Sequence, residues 1–233
     1  MKDIKILVVD DDREIANAID KILTMEGYKV IKAYDGLEAL DIIRTKDIQL
    51  ILLDIMMPKL DGLSTTLKIR EKKNIPIIIL SAKSEDSDKV LGLSMGADDY
   101  ITKPFNSQEL IARVKSQLRR YMDLGDIGNI SSSSQIVVGG LNLKKDYKQL
   151  YIDGEAIKLT PIEYKIMDLL MTNAGVVFSA EKIYGRVWEE SAHSVENTVM
   201  VHIRRIREKI EINPKEPKYL KVVWGIGYKV EKH

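Results

Sequence analysis

The chain has 233 residues, 45% of them hydrophobic, with a formal net charge of +1 and no cysteine. That length suits two domains of about 100–130 residues, and the missing thiols exclude disulfide frameworks and thiolate metal sites. Apolar runs as short as Ile75 to Leu80 exclude a membrane-spanning helix, and acids interrupt the N-terminal MKDIKILVVDDD where a signal peptide needs an apolar core, so a soluble cytoplasmic protein without a membrane partner is expected.

Charge is unevenly placed. Residues 1–121 carry 20 basic and 20 acidic side chains, residues 146–196 carry 5 and 9, and residues 197–233 carry 9 and 4. The basic excess is confined to the C-terminal end.

In chain order, Lys5 to Val9 reads as a short strand ending at Asp10 and Asp11. Asp12 is placed to cap a helix whose Ile15, Ala18, Ile19, Ile22 and Leu23 share a face. Gly27 ends it, Lys29 to Ala33 is a second strand, and Gly36 to Lys46 a second helix. Leu50 to Leu53 is a continuous apolar run closed by Asp54, the pattern of a strand buried on both faces with a carboxylate at its end. A helix is expected from Leu63 to Lys72, a strand from Ile77 to Leu80 ending at Ser81, and a helix from Glu85 to Met95. A strand from Asp99 to Thr102, a break at Pro104 and a helix from Ser107 to Tyr121 follow. Five βα units in succession predict an α/β fold, a doubly wound parallel sheet of order 2-1-3-4-5.

Ligands of such sheets bind beyond the carboxyl ends of the strands. Here those ends carry Asp10 and Asp11, Asp54, Ser81 and Lys103. Each taken singly reads as a cap, a turn residue or a surface charge. Together, three carboxylates in one crevice call for a hard cation with all-oxygen ligation, such as magnesium. The lysine and the hydroxyl opposite them suit an anion such as a phosphoryl group. A carboxylate can itself be the nucleophile and form an acyl phosphate.

The runs VVDDD, LLDIMMP, LSA and GADDYITKPF resemble the receiver domain of bacterial two-component response regulators across residues 1–121. That resemblance implies Asp54 as phosphoacceptor, and one magnesium ion held by Asp10, Asp11, Asp54 and the main-chain carbonyl of Met56. It implies Ser81 as the switch hydroxyl, Lys103 as the phosphoryl contact, and Tyr100 as the aromatic that turns inward when Ser81 moves. A sensor histidine kinase is the implied phosphodonor. Where many relatives have glutamate after the acidic pair, this chain has Asp12.

Met122 to Gln135, MDLGDIGNISSSSQ, has no periodicity and reads as a flexible linker over residues 122–134. Beyond it, Ile136 to Val138, Leu141 to Leu143, Gln149 to Ile152 and Ala156 to Leu159 read as short strands, with Gly139-Gly140 and Asp153-Gly154 at turns. Thr160-Pro161 opens a helix that ends near Asn173 to Gly175, and Ala180 to Trp188 is a shorter one. The helix from about Ser194 to Ile210 repeats Val199, Ile203, Ile206 and Ile210 as one buried stripe. At about 100° per residue, Asn197, Val201, Arg204 and Arg205 point the other way, with Thr198 and Arg207 on the flanks. His202 falls nearer the stripe. Such a face fits either the major groove or a solvated basic surface. Tyr219 to Val230 reads as a hairpin around Trp224-Gly225-Ile226-Gly227.

LTPIEY, VHIRRIREKI and GIGYKV resemble the winged helix-turn-helix (α+β) DNA-binding domain of OmpR/PhoB-type regulators, here residues 135–233. The runs ELIARVK, QLRRY and NTVMVHIRRIREKIEINPKEPKY are similar to VanR-type regulators of glycopeptide-resistance genes. The resemblance implies DNA contacts at Thr198, His202, Arg204, Arg205 and Arg207, beside Asn197 and Val201 on the same helix. Several relatives place an arginine where the wing has Trp224, for which packing or a backbone contact is expected instead. It further implies double-stranded promoter DNA and RNA polymerase as partners. Homodimerisation on phosphorylation is implied too, through the intersubunit pairs Lys89–Glu109 and Asp99–Arg113. Glu109 and Arg113 are also spaced for an ordinary intrahelical pair.

Two other readings stand beside this one. A magnesium-dependent phosphatase on the same sheet would want an acid near Asp54 to speed turnover, but Met56 occupies the position two residues on. A regulator independent of phosphorylation would not need the acidic cluster. The expectation is a DNA-binding switch and not an enzyme.

Overall fold

The computed structural model describes residues 4–82, 92–125, 135–188 and 195–232. It divides into two compact units, Met1–Tyr121 and Met122–His233.

In the first unit, strands β1 (Lys5–Val9), β2 (Lys29–Ala33), β3 (Leu50–Asp54), β4 (Ile77–Ser81) and β5 (Asp99–Thr102) pair in parallel in the order β2-β1-β3-β4-β5. Alternation of side chains explains the continuous apolar runs. Ile6, Val8, Leu50, Leu52, Ile78 and Leu80 pack with residues of α1 (Arg13–Met25) and α4 (Ser107–Gly125) on one face. Their neighbours Leu7, Val9, Ile51, Leu53, Ile77 and Ile79 are fully buried as well. Burying one such side chain contributes about 1.5–3 kcal/mol.

Asp12 caps α1, its side chain accepting from Glu14 N–H at 2.8 Å and Ile15 N–H at 3.3 Å. Its place in the acidic run therefore has a local helical cause. Asp35 and Asp61 cap α2 (Gly36–Thr45) and α3 (Gly62–Lys72) in the same way. Gly62 is required by space: a Cβ there would lie 2.1 Å from the Asp54 carbonyl oxygen. This glycine lets the loop after β3 fold back over the strand end, where Gly62 N–H donates to Ile55 O at 3.0 Å. At the far end of the sheet, buried Asp98 accepts from Arg70 at 2.6 Å and from Ile77 N–H at 2.9 Å. Those two bonds tie the end of α3 to the starts of β4 and β5.

Two differences from the sequence reading concern α4 and its predecessor. The expected Glu85–Met95 helix lies mostly outside the described residues, which show helix only at 92–94. Helix α4 continues past Tyr121 to Gly125, through expected linker residues that include the good helix formers Met122 and Leu124. Residues 126–134 lie outside the described set.

The second unit begins with an antiparallel sheet, β6 (Gln135–Val138), β7 (Leu141–Lys144), β8 (Gln149–Ile152) and β9 (Glu155–Ile157). Helices α5 (Pro161–Thr172), α6 (Ala180–Trp188) and α7 (Val195–Ile210) follow, then the hairpin β10 (Leu220–Val223) and β11 (Gly227–Val230). One apolar cluster gathers Leu141 and Leu143 from the sheet, Ile166, Leu170 and Trp188 from α5 and α6, Val199, Ile203, Ile206 and Ile210 from α7, and Val230 from the hairpin. The stripe read on α7 is thus the buried one.

Candidate functional site

At the carboxyl ends of β1, β3 and β5 the first unit places charges where the sheet cannot solvate them. Asp10 is 1% exposed and Asp54 5%. Lys103 Nζ donates to Asp10 Oδ2 and to Asp54 Oδ1, each at 2.6 Å. One ammonium therefore bridges two carboxylates that would otherwise repel. The remaining oxygens are also engaged: Asp12 N–H donates to Asp10 Oδ1 at 3.0 Å, and Met56 N–H to Asp54 Oδ2 at 2.7 Å.

Burial pushes the Asp54 carboxyl above the usual carboxylate range, and Lys103 only partly opposes it. For Lys103, burial works to lower the ammonium's pKa, but Asp10 and Asp54 together outweigh it and hold it above its ordinary value. The result is one ammonium held between two buried carboxylates.

Ser81 is buried at the end of β4, and its carbonyl accepts from Lys103 N–H at 2.7 Å. Tyr100 sits two residues into β5, buried, with its ring against Gly92. Asp11 and Met56 are exposed. Asp11 thus stands outside the bridged pair, and among the described residues no three carboxylate or imidazole groups converge to hold a metal. Asp10 and Asp54 do fit a hard cation by chemistry: both present carboxylate oxygens to a single positive charge in a dry crevice, a place Lys103 takes here.

Sequence reasoning missed one neighbour. Lys59, in the loop after β3, pairs with Asp35, whose carboxyl falls below the usual range chiefly through that bond. The pair ties the loop that carries Met56 to the start of α2; the left-handed backbone of Lys59 (φ 63°) was the only hint, and it is a structural one.

The charges assigned to an intersubunit face meet within one chain. Arg113 Nη1 lies 3.0 Å from Asp99 Oδ1, and its Nε 3.1 Å from Glu109 Oε1. A guanidinium has enough donors to satisfy both acids at once. Lys89 lies outside the described residues.

In the second unit, α7 presents fewer residues than its helical wheel predicts. Arg204 is exposed, its side chain 76% accessible, with Glu208 beside it at 3.0 Å. Asn197 and Thr198 are half-buried. Three residues expected on the DNA face are buried here. Val201 is 3% exposed. His202 is fully buried, its ring 5.4 Å from that of Trp188, which in turn stacks on Tyr184. Arg205 is 8% exposed and pairs with Glu163 at 3.1 Å. The wheel sees one apolar stripe, whereas α7 has neighbours on more than one side. Arg207 is half-buried, its Nε donating to Leu220 O at 2.8 Å, which fastens α7 to the hairpin. At the hairpin tip Trp224 is 88% exposed and Ile226 61%, so Trp224 has no packing role within the described residues.

Residues 6–115 match the response regulator receiver domain, and residues 154–230 the C-terminal domain of transcriptional regulatory proteins. Regulatory protein VanRc of Enterococcus gallinarum is 44% identical over 228 residues, covering 98% of this chain and 99% of that protein. Regulatory protein VanR of Enterococcus faecium is 44% identical over 229 residues, with the same coverage. Among solved structures, the response regulator DrrB, a Thermotoga maritima OmpR/PhoB homolog, is 31% identical with a TM-score of 0.51, covering 98% of this chain and 99% of that one. A mutant of RitR reaches a TM-score of 0.77 at 26% identity, covering 99% of this chain and all of that one. No helix among the described residues is long and apolar enough to cross a membrane. A receiver sheet ending in an ionic cluster, a C-terminal helical unit with a β-hairpin, and full-length relatives of this identity have one meaning: the chain belongs to the two-component response regulators of the OmpR/PhoB type, which are DNA-binding regulators of transcription.

Proposed function

We propose that Asp54 is the phosphoacceptor of this regulator, and that its phosphorylation by a sensor histidine kinase in the cytoplasm drives homodimerisation and binding to promoter DNA, where the protein meets RNA polymerase. Residues 1–121 act as receiver, 122–134 as linker and 135–233 as the DNA-binding domain. The observation that carries this is the buried Asp10–Lys103–Asp54 bridge at the carboxyl end of the sheet.

The chemistry follows from the residues. A carboxylate oxygen of Asp54 attacks phosphorus, the bond to the donor's leaving atom breaks with its electron pair, and an acyl phosphate forms. Asp10, Asp11, Asp54 and the Met56 carbonyl would hold magnesium, which when bound offsets charge on the phosphoryl oxygens. Lys103 already reaches Asp54, so its ammonium is positioned to follow the new charge onto a phosphoryl oxygen. The phosphoryl adds roughly −1.5 to −2 of charge, enough to draw in the Ser81 hydroxyl and shift the packing around Tyr100. Met56, and not an acid, stands two residues after Asp54, where a phosphatase of this topology would place a general acid, and the protein acts as a switch and not as a catalyst.

Dimerisation would use Asp99, Glu109, Arg113 and Lys89. Because Arg113 pairs with Asp99 and Glu109 within one chain, an intersubunit pair must exchange those bonds. Sedimentation of the wild type with a beryllofluoride mimic is expected to show a dimer, and Arg113→Glu a monomer; a charge-reversed protein that still dimerises would remove these residues from the interface.

On the DNA side, α7 offers Asn197, Thr198 and Arg204, flanked by Arg207 and by Trp224 on the wing. Arg204→Ala is expected to lower the slope of log affinity against log salt by about one counterion, the amount for one lost phosphate contact. Fluorescence anisotropy across a salt series measures it, and an unchanged slope would take Arg204 off the DNA.

A further inference from the structure

One fully buried carboxylate has no part in the switch or in the exposed face of α7. Glu163 is the third residue of α5. Its Oε2 accepts from Thr160 N–H at 2.8 Å, closing a capping box with the Thr160 hydroxyl, and from Lys209 Nζ at 2.5 Å. Its Oε1 faces Arg205 Nη2 at 3.1 Å. The start of α5 is thereby fastened to α7 at two positions four residues apart, neighbours on one helix face.

Two tie points one turn apart fix what apolar packing leaves loose. The buried stripe Val199, Ile203, Ile206 and Ile210 is made of similar branched side chains. Such contacts are non-directional and resist small rotations or slides of the helix weakly. The hydrogen bond from Lys209 to the carboxylate is directional, Arg205 adds a charge contact on the other oxygen, and a step of one residue would move each cation by about 100° and 1.5 Å. Arg204 follows its neighbour Arg205 in this respect: holding Arg205 inward holds Arg204 outward.

We infer that Glu163 is a positioning residue for DNA recognition, setting the rotation and register of α7 through Arg205 and Lys209. This rests on the reading that α7 faces DNA through Asn197, Thr198 and Arg204.

The test uses the full-length protein and two fluorescent duplexes, one selected by the wild type from a random pool and one of scrambled sequence. Glu163→Gln is expected to lower the ratio of selected to scrambled affinity about tenfold, the scale of one lost base contact, while affinity for the scrambled duplex holds. A role confined to stability would leave that ratio unchanged in protein kept below its unfolding temperature. Should Glu163→Gln unfold, the triple variant Glu163→Leu, Arg205→Leu, Lys209→Leu replaces the ionic group with apolar packing, which such sites tolerate. It is expected to fold and to show the same reduced ratio. A wild-type ratio in whichever variant folds overturns the inference. Arg204→Ala separates the two levels: an unchanged salt slope there overturns the assignment of α7 and the inference with it, whereas a lowered slope with a wild-type ratio in the Glu163 variant overturns the positioning role alone.

Discussion

Asp54→Asn is expected to abolish acyl-phosphate formation from acetyl phosphate and magnesium, a loss that intact-protein mass spectrometry would read. The amide has no anionic oxygen to attack phosphorus, while its shape still fills the strand end. The same substitution is expected to raise the thermal stability of the receiver unit at neutral pH, relief of the buried charge at Asp54 outweighing the loss of one of the two acceptors of Lys103. Burial lifts the folded-state pKa of Asp54 above its unfolded value, so the native state binds the proton more tightly than the unfolded chain does. Keeping Asp54 ionised therefore costs stability at pH above the folded pKa, and the cost vanishes below the unfolded one. The stabilising effect of asparagine should accordingly shrink as pH falls through the carboxylate range. Lys103 keeps Asp10 as a partner in the variant. Persistent labelling of Asp54→Asn would place the phosphoacceptor elsewhere.

Glu163→Gln should destabilise the DNA-binding unit by about 3–5 kcal/mol, the usual cost of removing one partner from a buried ionic group. Two cations, Arg205 and Lys209, would lose their shared counter-charge. Burial pushes the Glu163 carboxyl up, but Arg205 and Lys209 outweigh it and leave its pKa below the ordinary value. For an acid shifted in that direction the stabilisation is complete above the unfolded pKa and is lost as pH falls through the folded one. The difference between wild type and variant should thus be full at neutral pH and close in acid. Both tryptophans of the chain, Trp188 and Trp224, lie in this unit. Urea unfolding followed by their fluorescence reports it selectively; equal midpoints at neutral pH would contradict the buried clamp.

The sheet and its ionic cluster were legible because both follow from short-range pattern. An apolar run such as Leu50 to Leu53 can only be buried on both faces, and the acid that ends it must then lie at the strand's carboxyl edge. Caps at Asp12 and Thr160 announce themselves by residue type and spacing. The fate of Arg205 was not legible, since its partner Glu163 lies on another helix and a helical wheel contains no other helix. Thr160-Pro161 marks the start of that helix but gives no sign that Glu163 faces α7. His202 was read as an edge residue by geometry and as a DNA contact by resemblance; its burial against Trp188 favours the geometry. The Arg113–Asp99 pair spans β5 and α4, and sequence spacing could show only the Arg113–Glu109 half of it.

The central claim is that a phosphoryl group on Asp54 controls DNA binding. Affinity for the selected duplex, measured for wild type and Asp54→Asn with and without acetyl phosphate and magnesium, tests it most directly. The phosphodonor is expected to tighten binding by the wild type and to leave Asp54→Asn unchanged. Equal tightening in both proteins, or none in a wild type shown to be phosphorylated, would contradict it.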